Sequence, residues 1–399
     1  MRRNWLRLRG FLLSVCLALP GMIHSPIAAA ASTDHASFLI TNDDNAIGES
    51  NTATLFAIAP NGILSTPTVL NTIGMGSGGG FFSANRVNVT SDPTSPCAYI
   101  SSGTSNTIAG IQIMTQTVTG NFPASAIDNG ADNGVGMVMN ATYLYASFST
   151  SATIATFAVQ PGCVLQFLSD ISPVGLNGGV VKGMGLSGNL LIVTYGEGSI
   201  QSFDVSGGVP VPNSDLQNST GFAGDNYPDG VDITQDGRYA IFGDASSAGV
   251  VEVSDISSGS LATTVLYSLG SSITSGFDSS NVRLSPDGTL LYVSNNSSGQ
   301  VTAAFFNGVT GAISPGCVSP RLKGFDSTFS YLSSPVTQET TGSGSALYVA
   351  EFGQPSAIAV LHVKTAGGKC TVRETSASPV FDPNSLSLLS IGVYPPRPF

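Results

Sequence analysis

Charge is scarce in this chain: Asp, Glu, Lys and Arg together make up 10% of its 399 residues. Tryptophan occurs once, at Trp5, and only two histidines, His35 and His362, lie beyond the N-terminal stretch. A lone tryptophan so near the start excludes any repeat in which each unit is docked by its own indole. Clustered histidines for a metal triad are lacking too. No apolar run is long enough for a membrane helix. No window of a dozen residues keeps the three-and-four apolar spacing of an amphipathic helix, because Gly, Pro and β-branched residues interrupt it throughout. Basic residues are few: 14 Lys and Arg stand against 25 Asp and Glu, for a formal charge of −11. Phosphate binding needs a basic surface, so a nucleic-acid partner is excluded as an expectation. Gly-rich stretches such as Gly76 to Gly80 lack the Lys and the helix of a phosphate loop, and read as turns.

The start of the chain reads as an export signal. Arg2, Arg3, Arg7 and Arg9 precede a short apolar run from Phe11 to Leu19, and Ala28 to Ala31 offer a small-residue cleavage site. Cys16 is preceded by Val15 where lipidation wants a small residue. The expected division is a signal over 1–31 and a single domain over 32–399, delivered to the periplasm or the outside. Cleavage leaves Cys97, Cys163, Cys317 and Cys370, an even number that favours disulfides in an exported chain. None lies in a C-x-x-C. Placed on the repeat described next, they fall in neighbouring units, which predicts the pairs Cys97–Cys163 and Cys317–Cys370.

What the sequence has in abundance is a repeated pair of strands. Copies begin at Phe38 (FLITNDDN), Ala98 (AYISSGTSN), Leu144 (LYASFSTSA), Leu191 (LIVTYGEGS), Tyr239 (YAIFGDASS), Leu291 (LYVSNNSSG) and Leu347 (LYVAEFGQPS), and each is followed by a second alternating strand. The spacing of 46 to 60 residues is that of propeller blades. Before every copy but the first lies an apolar, small-residue strand: 86–92, 134–140, 180–186, 230–236, 281–287 and 331–337. Small residues suit an innermost strand, where blades converge. The first copy lacks one, and the segment 387–395 near the C-terminus has no partners of its own. The predicted fold is therefore all-β: a seven-bladed β-propeller of four-stranded antiparallel blades, its ring closed by a C-terminal strand completing the first blade.

The stretch LSPDGTLLYVSNN (284–296), with weaker copies ITQDGRYAIFGDA (233–245) and LYVAEF (347–352), resembles the repeat of the YVTN and lactonase-type seven-bladed propellers. These include 6-phosphogluconolactonases and muconate-lactonizing enzymes, so the resemblance implies a lactone hydrolase. Such enzymes work with inward-facing His, Arg and Glu side chains, and an Arg often follows the LYVSN-like strand. Here Asn296 and Ser297 follow it, and the Gly-Pro-Arg-His-like segment before an innermost strand has no counterpart. His35 precedes the first repeat, and His362 alternates with Val360 and Lys364 on a strand. The family's catalytic His/Arg pattern finds no matching positions.

Propeller topology brings together two sets of loops on one face. The loops entering the innermost strands carry Asp128, Asp132, Asp225, Asp229, Asp278, Asp326 and Asp382. Those joining the second and third strands carry Asp43, Asp44, Glu49, Glu197, Asp244 and Glu351. One reading is an acidic rim that concentrates cations or a basic ligand and is a candidate Ca²⁺ site. The other is that Asp and Asn simply favour turns. Arg86 and Arg283, at similar places on the innermost strands of blades two and six, and Lys182 on blade four are candidates to hold an anionic substrate. Glu197 or Glu351 would then act as general base. The leading expectation is a monomeric, exported, non-catalytic scaffold that binds a small molecule, a glycan or a protein on the acidic rim. The alternative is a diverged lactonase-like hydrolase; no resident cofactor is expected in either case.

Overall fold

The alternating apolar residues of the repeat form strands buried on both faces. Leu190–Tyr195, Tyr239–Asp244 and Leu290–Asn295 are buried at every position. Two-sided burial is what a sheet needs when it stacks between two others. The computed structural model describes residues 37–45, 50–78, 85–123, 135–148, 153–173, 175, 181–195, 198–218, 228–244, 250–269, 281–295, 298–325, 331–340, 344–352, 356–385, 387–388 and 390–396. The compact unit they belong to is Ala36–Phe399.

Seven antiparallel sheets follow one another along the chain as blades. From the innermost strand outward, blade two is Val87–Val89, Cys97–Ser102, Thr107–Gln112 and Thr117–Pro123, and blade three is Val135–Met139, Tyr143–Phe148, Thr153–Gln160 and Val164–Ile171. Blade four has Val181–Ser187, Leu190–Tyr195 and Ser199–Asp204, with two short outer segments, Val211–Pro212 and Gln217–Asn218, both paired to its third strand. Blade five is Pro228–Ile233, Tyr239–Asp244, Val250–Asp255 and Val265–Ser268, and blade six is Asn281–Leu284, Leu290–Asn295, Gln300–Phe306 and Ile313–Val318. Blade seven is Tyr331–Thr340, Gly344–Phe352, Ser356–Ala366 and Lys369–Glu374, and a further strand, Val380–Asp382, also pairs with its third strand.

Blade one is made from both ends of this unit. Its innermost strand is Ser390–Tyr394, followed outward by Ser37–Asn42, Thr52–Ile58 and Thr68–Asn71. The register sets Phe38 opposite Tyr394, Ile40 opposite Gly392 and Asn42 opposite Ser390. Each innermost strand also touches that of the next blade, and the blade-seven strand touches Ser390–Tyr394, so the ring closes. Closure pairs backbone edges that an open array would leave exposed.

The core is divided by blade. Each of the seven blade interfaces holds its own cluster of buried apolar residues among the described residues. Strand alternation sends successive side chains to opposite interfaces. On blade four, Leu191, Val193 and Tyr195 pack toward blade three, while Leu190 and Ile192 pack toward blade five. Two disulfides join neighbouring blades, Cys97 to Cys163 and Cys317 to Cys370. Cys163 lies at the turn before the outer strand of blade three. Cys317 lies within the outer strand of blade six, opposite Ala303.

Candidate functional site

The loops from outer strand to next innermost strand, and from second to third strand, emerge on one face. There polar residues stand at or next to the ends of the second strands: Asp43 and Asp44 after blade one, Ser101 and Ser102 on blade two, Ser147 on blade three, Thr194 on blade four, Asp244 on blade five, Ser294 and Asn295 on blade six, and Glu351 on blade seven. All of these side chains are buried. Asp128, Asp132, Asp225, Asp278, Asp326, Glu49 and Glu197 lie outside the described residues, and Asp229 is described only as backbone in the innermost strand of blade five.

At blade one, burial is made tolerable by bonding. The Asn42 side chain accepts from the Asp44 backbone N–H at 3.1 Å, an Asx turn that places Asp44 at a left-handed φ of 50°. The Asp44 carboxylate accepts from the Ser77 N–H at 2.7 Å, from the Ser77 hydroxyl at 2.8 Å and from Arg86 Nη1 at 2.8 Å. Both ion-pair partners are buried, Arg86 at 2% and Asp44 at 1% exposure. The segment that carries Ser77 crosses so close that a Cβ on Gly76 would collide with the Asp44 backbone. This pair therefore ties the second strand of blade one to the start of the innermost strand of blade two.

Asp43 makes a different arrangement. Its carboxylate accepts from the hydroxyls of Thr41, Thr52 (2.6 Å) and Thr54 (2.9 Å). Thr54 also reaches Asp382 Oδ1 at 3.5 Å. Burial, and secondarily the neighbouring Asp382 charge, push the Asp43 carboxyl well above the usual carboxylate range against the pull of the three hydroxyls. Asp382, expected in the loop entering blade one, instead ends the extra strand of blade seven and is fully buried. Its Oδ2 has no hydrogen-bond partner among the described residues.

Glu351, next to the end of the second strand of blade seven, is 1% exposed, and neither carboxylate oxygen has a hydrogen-bond partner among the described residues. Burial pushes its carboxyl up to about 8, with the Glu374 charge adding to the effect. It sits under the blade-six segment at Gly324, where a Cβ would collide with it.

The two arginines differ in level. The Arg86 carbonyl accepts from the Ser101 N–H, whereas Arg283 lies opposite Tyr292, which corresponds to Tyr99 in blade two. Arg283 is thus two residues, about 6–7 Å, further along its strand. It is 20% exposed and sits 3.7 Å from Asp232 on the innermost strand of blade five. Lys182 falls where the blade-four register shifts, between Val181 and Met184. The expectation of similar places for Arg86 and Arg283 is corrected by this register.

The described acids of the expected rim, Asp43, Asp44, Asp244 and Asp382, are turned inward rather than toward solvent. The reason is local: short polar side chains at strand ends can satisfy the nearby backbone and the adjacent blade at once. Sequence reading did not single out Asp232, although a carboxylate inside the apolar strand GVDITQD was the available signal. It accepts from the Leu284 N–H at 2.7 Å and so bridges blades five and six. Among the described residues, no three His, Cys, Asp or Glu side chains gather closely enough to hold a metal ion. No described helix is long and apolar enough to cross a membrane.

No protein-family profile matches the sequence. No curated protein matches it either. Solved structures do match in fold. A proposed 6-phosphogluconolactonase from Bacteroides uniformis aligns over 90% of this chain and 99% of its own, with TM-score 0.67 and 14% identity. A second, from Bacteroides fragilis, aligns over 91% and 99%, with TM-score 0.66 and 14% identity. The periplasmic gluconolactonase of Pseudomonas aeruginosa covers 71% of this chain and 82% of its own, with TM-score 0.54 and 16% identity. At these identities the likeness is one of fold: the structural neighbours are 6-phosphogluconolactonase-like propellers.

Proposed function

We propose that this propeller is an exported, non-catalytic scaffold that binds a ligand or partner on its acidic rim, at the mouth of the channel that the innermost strands enclose on the face where the second strands end. The observation that supports this reading is the Arg86–Asp44–Ser77 cluster: the buried cation at the mouth is committed to joining two blades. A substrate anion would have to displace a buried carboxylate to reach it, at a cost of several kcal/mol. The basic, apolar and small-residue sequence of the N-terminal stretch supports export, and two disulfides suit an oxidising compartment. The acidic balance, 25 Asp and Glu against 14 Lys and Arg, favours a cation, a basic ligand or a neutral molecule at that face.

The test is a thermal-shift titration of the purified protein with Ca²⁺, spermidine and glucono-1,5-lactone, alongside a lactone-hydrolysis assay. A true ligand raises the melting temperature with dose. A dose-dependent shift with Ca²⁺ or spermidine and no hydrolysis is the expected result; turnover of the lactone overturns the scaffold reading.

The second reading is a diverged lactonase-like hydrolase. The lactonase-like neighbours support it, and so does Glu351, whose carboxyl is pushed up to about 8, close enough to neutral pH to exchange a proton with a reacting group. It requires the Glu351 carboxylate, now 1% exposed, to become reachable. If this reading holds, Glu351→Gln and Arg283→Ala each depress lactone turnover at least about a hundredfold. Turnover unchanged in both variants removes it.

A further inference from the structure

On the face opposite the channel mouth, first strands turn into second strands and third strands into fourth. Here, in blades three and five, the residue that begins the second strand packs on the turn after the next blade's third strand. Backbone registers make Tyr143, Leu190 and Tyr239 equivalent in blades three, four and five, and the turns that follow the third strands of the next blades carry Gly208, Gly259 and Gly311. In the groove between blades three and four the Tyr143 ring lies on the turn, so that a Cβ on Gly208 would meet its Cζ at 2.8 Å. Between blades five and six the Tyr239 ring does the same, with Cε1 at 2.7 Å from a Cβ on Gly311. Its hydroxyl donates to the Val309 carbonyl of that turn at 3.1 Å. Between blades four and five the position is Leu190, and a Cβ on Gly259 would meet nothing within 4 Å. A cavity of about 550 Å³ opens there, lined by Leu190 and Gly259 among others. That volume falls within the usual size of a small-molecule site.

The lining says what kind of ring it takes. Leu190 and Ile256 are buried at 9% and 3% exposure and give an apolar floor. Around it stand acceptors: the carboxylates of Asp204 and Asp236 and the amide of Asn189. Asp236 Oδ1 already accepts from the Thr234 hydroxyl and the Arg238 N–H, while its Oδ2 makes no bond among the described residues. Asp204 accepts two bonds from Ser206, and a carboxylate has room for about two more. The one cation, Arg238, lies 3.7 Å from Asp255 and 5.0 Å over the Tyr239 ring. Two carboxylates disfavour an anion. A phenol carries one hydroxyl donor, too few for these acceptors. A sugar ring supplies several hydroxyl donors at its edge and a C–H face for the floor.

We infer that the groove between blades four and five is a binding site for a neutral pyranose ring, which takes the place that a tyrosine ring fills in the two flanking grooves. The site is separate from the channel mouth and does not depend on the function proposed for it.

The experiment is saturation-transfer NMR of the purified protein with the methyl pyranosides of glucose, galactose and mannose. At least one should bind, with a millimolar dissociation constant. Leu190→Tyr, which gives this groove the ring its neighbours have, should abolish the signal while circular dichroism stays unchanged. Asn189→Ala, at an exposed position, should weaken binding about tenfold and decides the matter should Leu190→Tyr fail to fold. The inference is overturned by absence of transfer to every pyranoside, or by equal binding in the variants. It is also overturned if N-acetyltyrosinamide binds where the sugars do not.

Discussion

Arg86 on blade two donates to Asp44 on blade one across 2.8 Å, and neither side chain reaches solvent. A buried pair of this kind is worth little against an apolar replacement, but breaking it leaves one charge stranded. Arg86→Ala is therefore expected to lower unfolding free energy by about 3–5 kcal/mol. The double variant Arg86→Met with Asp44→Leu should recover most of that loss. Urea denaturation of the three proteins checks the order.

Glu351 should make stability fall with pH. A carboxyl raised to about 8 in the folded chain prefers its proton. Its contribution is whole below the ordinary carboxylate value and is lost as pH rises through about 8. Glu351→Gln keeps the shape and removes the titration. Between pH 6 and 9 the native protein should lose a few kcal/mol that the variant keeps; parallel melting curves in the two proteins would sink this account.

Asp43 and Asp382 meet where blade seven gives way to the closing strand. The Asp43 carboxyl is raised, first by burial and then by the Asp382 charge, so it too stabilises when protonated and ceases to do so as pH rises. Replacing Asp382 by Asn removes the repulsion and keeps the acceptor for the Asn384 N–H, now 3.0 Å away. Asp382→Asn should raise the unfolding free energy by about 1–2 kcal/mol at pH 8, and by less at pH 4. Chemical denaturation at the two pH values measures the difference.

Tyr292 and Tyr348 occupy equivalent places on blades six and seven, but only one hydroxyl is satisfied. Tyr348 donates to the Gly62 carbonyl at 2.8 Å, while the Tyr292 hydroxyl is buried with no partner among the described residues. Tyr348→Phe should cost about 1–2 kcal/mol, because it also strands that carbonyl. Tyr292→Phe should be neutral or stabilising. Equal losses from both would show that the hydroxyls are not what distinguishes them.

The blades were legible because their signal is local and repeated: FLITN, LYASF and LYVSN each announce a strand by alternation and place it by spacing. The closing role of 387–395 was legible by elimination, as a strand without partners. The mouth was less so. Asp44 and Arg86 stand 42 positions apart, and nothing in the order of residues says that a turn acid will point inward to a neighbour's arginine. A turn preference for Asp and an inward ion pair look the same in one dimension. Arg86 and Arg283 also looked alike, because a displacement of two residues keeps a side chain on the same sheet face and moves only its level. The groove below Leu190 was hidden for a similar reason: a leucine among apolar strand residues has no meaning until the flanking tyrosines are seen to fill the same place.

Blade one draws its strands from residues 37–71 and 390–394. During synthesis, three strands of that sheet must wait with one edge unpaired while the other six blades are made. The first part of the ring to emerge is thus the last to be finished. A chain cut short before Ser390 would carry almost every residue of the fold and still present an open seam, a template for pairing with another chain.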